Sequence, residues 1–302
     1  MQLGFIGFGE AAFAISSGLK EQGFETIWAY DPVWDHPTYG ALVQGRAAQA
    51  QVELMKTPEE VLQHANVVIV AVPADKALGV SEMLKPYLKP GDLYVDVSAA
   101  SPKVKKAIWE TIQDAGVLMV DAAMVGALLV DKHKVPILAS GNGTDRFIEL
   151  TAPLHMNITK VSETPGDASA IKLIRSIFMK GYAALGIELL DAAHTFNVED
   201  LVISGIGDSL DGKSFEWSLN RMVTGTSIHA QRRIIELEGS IEMLQESNIN
   251  SVMSEAIREK LKLVSSFNLK EKFQGVIPGH WLEVITAIQD ADHEQQAVTL
   301  KS

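Results

Sequence analysis

The run Leu3-Gly-Phe-Ile-Gly7, followed by Phe8-Gly9-Glu10-Ala11-Ala12, constrains this chain more than any other stretch. A short apolar segment ends in a tight glycine turn, after which Phe13, Ile15, Ser16 and Leu19 continue at helical spacing. In such a strand–turn–helix, Gly7 permits the turn, Gly9 lets backbone approach a pyrophosphate, and Ala12 is small enough for helix and strand to pack closely. The start of the helix, at Glu10 and Ala11, offers unpaired N–H groups to an anion. Thr26-Ile-Trp-Ala-Tyr30 reads as a second strand. Asp31 closes it about 20 residues beyond the turn, where a carboxylate bonds an adenosine ribose. Together these features predict a dinucleotide site built on Gly7, Phe8, Gly9, Glu10, Ala11 and Asp31. A carboxylate at Asp31 repels a 2′-phosphate and no arginine follows it at once, so NAD is favoured over NADP; only Arg46 could reach the same region from a loop.

The alternation continues. Strands are expected at Gln51–Met55, Val67–Val72, Leu93–Val97, Leu118–Asp121, Val135–Ala139 and Asn157–Lys160. Helices are expected at Thr57–His64, Lys76–Leu88, Ser101–Ala115 and Thr144–Leu154, with Thr57 and Glu60 in capping-box positions and Pro102 at a first helical position. Near-continuous apolar strands separated by helices imply an α/β fold with a parallel, doubly wound sheet of Rossmann type. Ligands of such sheets bind beyond the carboxyl ends of the strands, which places Val72, Pro73, Ala74, Ser98 and Asp121 at the site rim by topology alone.

After Thr164-Pro165-Gly166 the spacing predicts one long helix to Phe196. Ile171, Ile174, Phe178, Tyr182, Leu185 and Leu189 recur at steps of three and four, and Ile177, Gly181 and Leu190 broaden the stripe, so burial on more than one side is expected. The remainder reads as helical: Phe215–Thr224, Ser227–Gln245, Val252–Ser266 and His280–Ala291, with glycine-containing links at Gly205–Gly212 and Gly275–Gly279. The expected organisation is a dinucleotide-binding domain at 1–163, an all-α substrate and dimerisation domain at 164–292 joined by the long helix, and a frayed tail at 293–302. A stripe longer than one small domain can cover suggests a homodimer.

Composition narrows the partners. With 38 acidic against 26 basic residues the formal charge is −12, which argues against a general nucleic-acid-binding surface. Cysteine is absent, so thiolate chemistry is excluded, and the eight histidines show no ligand-like spacing that would imply a metal. No apolar run approaches the roughly 20 residues of a membrane helix, and no leader precedes the first strand; a cytoplasmic protein acting on a small molecule is expected.

Several stretches together resemble the β-hydroxyacid dehydrogenase and 6-phosphogluconate dehydrogenase superfamily: Gly7-Phe-Gly-Glu-Ala-Ala12, Asp96-Val-Ser-Ala-Ala-Ser-Pro102, Asp121-Ala-Ala-Met-Val-Gly-Ala127 with Pro136-Ile-Leu-Ala-Ser-Gly141 behind it, and Gly166-Asp-Ala-Ser-Ala-Ile-Lys172. The second half looks more like relatives described only as NAD(P)-dependent oxidoreductases with a 6-phosphogluconate-dehydrogenase-like C-terminal domain. The resemblance implies that Lys172 is the catalytic acid/base, that Ser98 lies beside nicotinamide and substrate, and that the loop with Met124, Val125 and Gly126 shapes the substrate pocket. Two departures matter. Ser176 stands where the family usually has asparagine one turn after the lysine, and Val125-Gly126-Ala127 replaces Ser-Gly-Gly, removing a hydroxyl that would bind a substrate carboxylate.

An ammonium that is partly desolvated beside a cationic ring loses proton affinity, so Lys172 is suited to take a hydroxyl proton as hydride leaves, with Ser176 holding the substrate oxygen or the lysine. An anionic substrate then needs another binder, for which His229, Arg232 and Arg233, at i, i+3 and i+4, are candidates. The expected activity is hydride transfer between a nicotinamide cofactor and a small hydroxy acid or related alcohol. Alternatives are an imine reductase, although those enzymes commonly carry Asp or Tyr at the Lys172 position, and a dinucleotide-binding sensor without turnover. A decarboxylating 6-phosphogluconate dehydrogenase is disfavoured by the missing asparagine and the short helical domain.

Overall fold

The computed structural model describes the backbone of residues 1–299 and side chains through His293. The chain divides into two compact units, Met1–Ile177 and a second from Phe178 onward. The boundary therefore falls inside the long helix and not ahead of it, because the first turns of that helix are bonded to the sheet.

In the first unit the strands are β1 (Leu3–Ile6), β2 (Ile27–Tyr30), β3 (Glu53–Leu54), β4 (Val67–Val70), β5 (Leu93–Asp96), β6 (Leu118–Met124), β7 (Ile137–Ser140) and β8 (Ile158–Ser162). The helices are α1 (Glu10–Glu21), α2 (Gly40–Gln49), α3 (Pro58–His64), α4 (Ala77–Leu84), α5 (Pro102–Ile112), α6 (Leu128–Asp131), α7 (Thr144–Thr151) and α8 (Asp167–Phe196), the last running on into the second unit. The sheet order is β3-β2-β1-β4-β5-β6-β7-β8, parallel except for the antiparallel β6–β7 pair. At that exception the segment from Val125 to Pro136, which carries α6, returns the chain beside β6 in the opposite direction.

Strand periodicity distributes the core to both faces. Leu3, Phe5, Val67, Ile69, Leu93 and Val95 point one way and pack on Ala12, Ile15 and Leu19 of α1, Val43 and Ala47 of α2 and Phe147 of α7. Ile6, Val68, Val70 and Tyr94 point the other way, against Val61 and Leu62 of α3, Leu84 of α4, and Ile108 and Ile112 of α5. Strands buried on two faces need apolar residues at every position, which is why these runs do not alternate with polar ones. The expected capping box starts α3: Glu60 N donates to Thr57 Oγ1 at 3.2 Å, while Glu60 Oε2 accepts from Lys56 N at 2.8 Å.

The second unit holds the rest of α8 and then α9 (Glu199–Leu210), α10 (Phe215–Glu246), α11 (Val252–Ser266), α12 (Leu269–Lys272) and α13 (Trp281–Thr299). Three expectations are corrected here. The link expected at Gly205–Gly212 is mostly the helix α9; Leu201, Ile203, Ile206 and Leu210 keep helical spacing despite two glycines that each cost about 1 kcal/mol. The two helices expected across 215–245 are one element, kinked at His229 (φ −112°, ψ 15°). The tail expected at 293–302 overlaps α13, and residues 300–302 lie outside the described residues.

A fourth correction concerns α8. Its stripe was expected to be buried, yet within this chain Ile174, Ile177, Phe178, Tyr182 and Leu190 are exposed. Apolar spacing reports that a face needs cover, not which chain supplies it. Among the described residues no helix is long and apolar enough to cross a membrane.

Candidate active site

The carboxyl ends of β1, β2 and β4 open on a cleft of about 680 Å³, lined by Gly7, Gly9, Asp31, Pro32, Val72 and Pro73 together with Val80 and Met83 of α4. Gly7 has a φ of +85°, and a Cβ there would sit 2.5 Å from the Ala71 carbonyl oxygen, so only glycine closes this turn. In contrast, a Cβ on Gly9 would meet nothing within 4 Å. That open space faces the start of α1, whose N-cap makes no side-chain hydrogen bond and whose first turn carries Glu10 and Ala11. A turn that excludes side chains beside unpaired helix amides fits the pyrophosphate of a dinucleotide. Phe8 does not line the cleft: its ring is buried edge-on to Phe5 and its N–H is given to Asp31.

Asp31 is 9% exposed and ties the cleft together, Oδ2 accepting from Phe8 N at 2.8 Å and Oδ1 from Val33 N at 3.0 Å. Each oxygen keeps a lone pair for a ribose hydroxyl. Burial, then the Asp31 charge, raises the Tyr30 hydroxyl above its usual pKa and keeps it protonated. Lys76 also lines the cleft, paired to Asp75 at 3.1 Å; Arg46 does not.

The first turn of α8 is fixed by a buried charge cluster that sequence reasoning missed. Lys105 of α5 is 0% exposed, its Nζ 3.2 Å from Asp96 Oδ1 and 3.3 Å from Asp121 Oδ1, and it donates to the carbonyls of Asp96 (3.0 Å) and Ser98 (2.9 Å). Asp121 in turn accepts from Gly166 N (3.2 Å), Ser169 N (3.0 Å) and Ser169 Oγ (2.7 Å), and Ser140 Oγ takes Ala168 N at 3.1 Å. These bonds satisfy amides that a helix start leaves unpaired, with an anion where the helix dipole favours one. Gly166, at φ +104°, lies so close to Pro102 that a Cβ would stand 2.9 Å from its carbonyl oxygen. A legible signal existed: Lys105, Ile108 and Ile112 share the buried face of α5, which marks Lys105 as interior even within a basic run.

Asp121 is thus a correction to the topological reading. Strand β6 continues three residues past it, held by the antiparallel pairing with β7, so Asp121 lies inside the sheet and not at its rim. Ser98 is also buried; its N–H donates to Asp96 Oδ1 at 2.8 Å and its Oγ has no protein partner. Lys172 and Ser176 follow on α8, both half-buried and one turn apart. Between them Arg175 donates from Nη1 to the Val125 carbonyl at 2.8 Å, bringing α8 to the loop that holds Met124, Val125 and Gly126. Gly126 has no room for a side chain, since a Cβ would stand 2.6 Å from Pro136.

The cluster at His229 has structural partners instead. Arg232 lies 3.5 Å from Glu236 one turn on, and Arg233 donates to Thr226 Oγ1 and the Met222 carbonyl, one and two turns before the kink. His229 is the kink residue itself.

Residues 2–160 match the family described as the NAD binding domain of 6-phosphogluconate dehydrogenase, and residues 193–264 match a domain of unknown function. Among curated proteins the chain is similar to an uncharacterized 28.5 kDa protein of Methanothermus fervidus, 26% identical over 87% of this chain and 98% of that one. Among solved structures, a conserved protein of unknown function with structural similarity to 3-hydroxyacid dehydrogenases is 30% identical over 91% of this chain and all of that one, with a TM-score of 0.59. An imine reductase from a Pseudomonas species shares the fold at 17% identity, covering 90% and 98% of the two chains with a TM-score of 0.69. On the glycine turn, the sheet and these matches, the chain belongs to the family built on the NAD binding domain of 6-phosphogluconate dehydrogenase, and is a dinucleotide-binding oxidoreductase of the hydroxyacid dehydrogenase type.

Proposed function

We propose that the protein transfers hydride between a nicotinamide cofactor, NAD in preference to NADP, and the carbinol carbon of a small hydroxy acid, with Lys172 as the general acid/base. The observation that carries this reading is the clamping of the α8 first turn by Asp121, which gives Lys172, three residues after Ser169, a fixed origin. Proton transfer tolerates little positional freedom, and a lysine on an anchored helix meets that demand better than one on a loop. When bound, the nicotinamide ring supplies the hydride acceptor or donor. Lys172, as the neutral amine, takes the hydroxyl proton as the C–H bond breaks, and as the ammonium returns it in reduction. Ser176 orients the oxygen with one hydrogen bond. Asp31 supports NAD, because a buried carboxylate at the end of β2 repels a 2′-phosphate; among the residues that line the cleft, Lys76 is the cation that could offset that repulsion.

Hydroxy acids, β-hydroxy-amino acids and sugar acids, each assayed with NAD and NADP separately, test the reading. Turnover of at least one acid with NAD is expected. Turnover confined to a cyclic imine with NADPH would replace it with the imine reductase alternative, and turnover of nothing would favour the sensor.

The working form is a homodimer. Ile187 is 72% exposed and Leu201 77%, with Leu190 and Ile203 also in solvent, more apolar surface than a monomer usually leaves bare. Sedimentation should show a dimer that Leu201→Glu shifts toward monomer; a monomeric wild type would sink this part.

A further inference from the structure

The loop Met124-Val125-Gly126-Ala127 has no side-chain hydrogen-bond donor, and the cation that reaches it comes from α8. Arg175 is exposed, one turn after Lys172, and spends one N–H on the Val125 carbonyl at 2.8 Å. A guanidinium has five donors in a planar fork, so the bond to the loop fixes the plane and leaves most of the fork available. Among the described residues no carboxylate forms an ion pair with it, and Asp131, packed beside Gly126, is no exception. The contrast with other arginines is chemical: Arg146, Arg232 and Arg258 all pair with a glutamate one to four residues away. In a chain with 38 acidic and 26 basic residues, an exposed guanidinium held at the Val125 loop by one backbone carbonyl, unlike Arg233 whose two bonds stay within its own helix, keeps donors for an outside anion.

We propose that Arg175 is the carboxylate-binding residue of the substrate site, and that the substrate is a hydroxy acid whose charged end lies on the fork while its hydroxyl lies one helical turn back, at Lys172. This rests on Lys172 being the proton-transfer residue. Cβ atoms at i and i+3 of a helix are about 5–6 Å apart, so one short acid spans both groups. Because the Val125 carbonyl already holds the side chain in place, little rotamer freedom is lost when the anion arrives.

The test uses the intact protein loaded with NADH for binding and with NAD for turnover. Glycerate, 3-hydroxybutyrate and threonate are compared with glycerol, butane-1,3-diol and threitol, which keep the carbon skeleton and lack the charge. The acids should be preferred. Arg175→Met should weaken calorimetric binding of the preferred acid, or raise its KM, by roughly tenfold or more while leaving the polyol and NADH affinity unchanged. Arg175→Lys, a point charge without the fork, should fall between. An acid-to-polyol ratio that Arg175→Met does not change overturns the proposal, as does failure of every acid to bind the wild type. Acids that bind through Arg175 but are never turned over would remove the dehydrogenase reading and leave this site standing; turnover indifferent to Arg175 would do the reverse.

Discussion

Two helix starts in this molecule are each held by a buried carboxylate, and they are built differently. In the first unit Asp121 caps α8 and is itself neutralised by Lys105, which lies between it and Asp96. In the second unit Glu188, on α8, caps α11: it accepts from Met253 N at 2.8 Å, Ser254 N at 2.9 Å and Ser254 Oγ at 2.6 Å. Among the described residues no cation pairs with Glu188. A half-unit helix charge suffices for a carboxylate near the surface, whereas two carboxylates and an ammonium sealed under a sheet stand or fall together. The ion-paired cap belongs to the helix turn that leads to Lys172, where position matters; the unpaired one only joins helices.

The largest effect that would break this contrast is on the Lys105 side. Lys105→Met removes the only cation from a cluster with no exposed side chain, and should lower the unfolding free energy by about 3–5 kcal/mol, read from urea titration. A loss under about 1 kcal/mol would mean that Asp96 and Asp121 do not need it. Next comes Lys172→Ala. Turnover should fall by about 10²-fold, with NAD affinity nearly unchanged because Lys172 is absent from the cleft lining. Unchanged turnover would remove Lys172 from the mechanism and leave its anchored helix without a chemical purpose.

A smaller effect is expected at the simpler cap. Glu188→Ala leaves two amides and a hydroxyl without their acceptor, at a cost of about 1–3 kcal/mol, and Glu188→Gln should recover part of it by keeping one acceptor oxygen. If Glu188→Ala matched Lys105→Met in cost, the distinction between the two caps would be lost.

The same contrast explains what could be read from residues alone. The sheet was legible because its cover is local: apolar runs at β1, β4 and β5 alternate with helices that pack directly on them. The glycine turn was legible because backbone geometry at Gly7 admits one residue type. The pairing of Asp121 with Lys105 was not: helical spacing marks Lys105 as interior but names no partner, and strands β5 and β6 had to be paired in register before Asp96 came opposite Asp121. Arg175 carries no sequence signal for a related reason. Its partner is a backbone carbonyl 50 residues away, and carbonyls leave no trace in composition. The α8 face is exposed where its spacing predicts burial, because a stripe shows how much cover is needed and is silent about its source.

The smallest effect separates the units by pH. His133 is buried in the first unit under Gly18, where a Cβ would stand 2.2 Å from its Nδ1, and neither ring nitrogen makes a well-formed hydrogen bond, the Leu154 backbone being a polar neighbour. Burial foremost, then the neighbouring Lys134 charge, pushes its pKa below the usual value. The unfolded chain therefore takes up a proton near pH 6.5 while the folded chain takes it only at lower pH. Between those values the unfolded state binds more protons, so stability rises with pH across the window and is lost as pH falls through it, by at most about 1.4 kcal/mol per pH unit. Asp92, whose pKa burial raises, contributes with the opposite sign at lower pH, so the readout is the difference between wild type and His133→Phe. Melting followed between pH 7.5 and 5.5 should slope less in the variant, and a calorimetric transition of the second unit, if resolved, should not move with His133 at all. Equal slopes would show that the imidazole gains a partner on protonation and is no strain on the sheet unit.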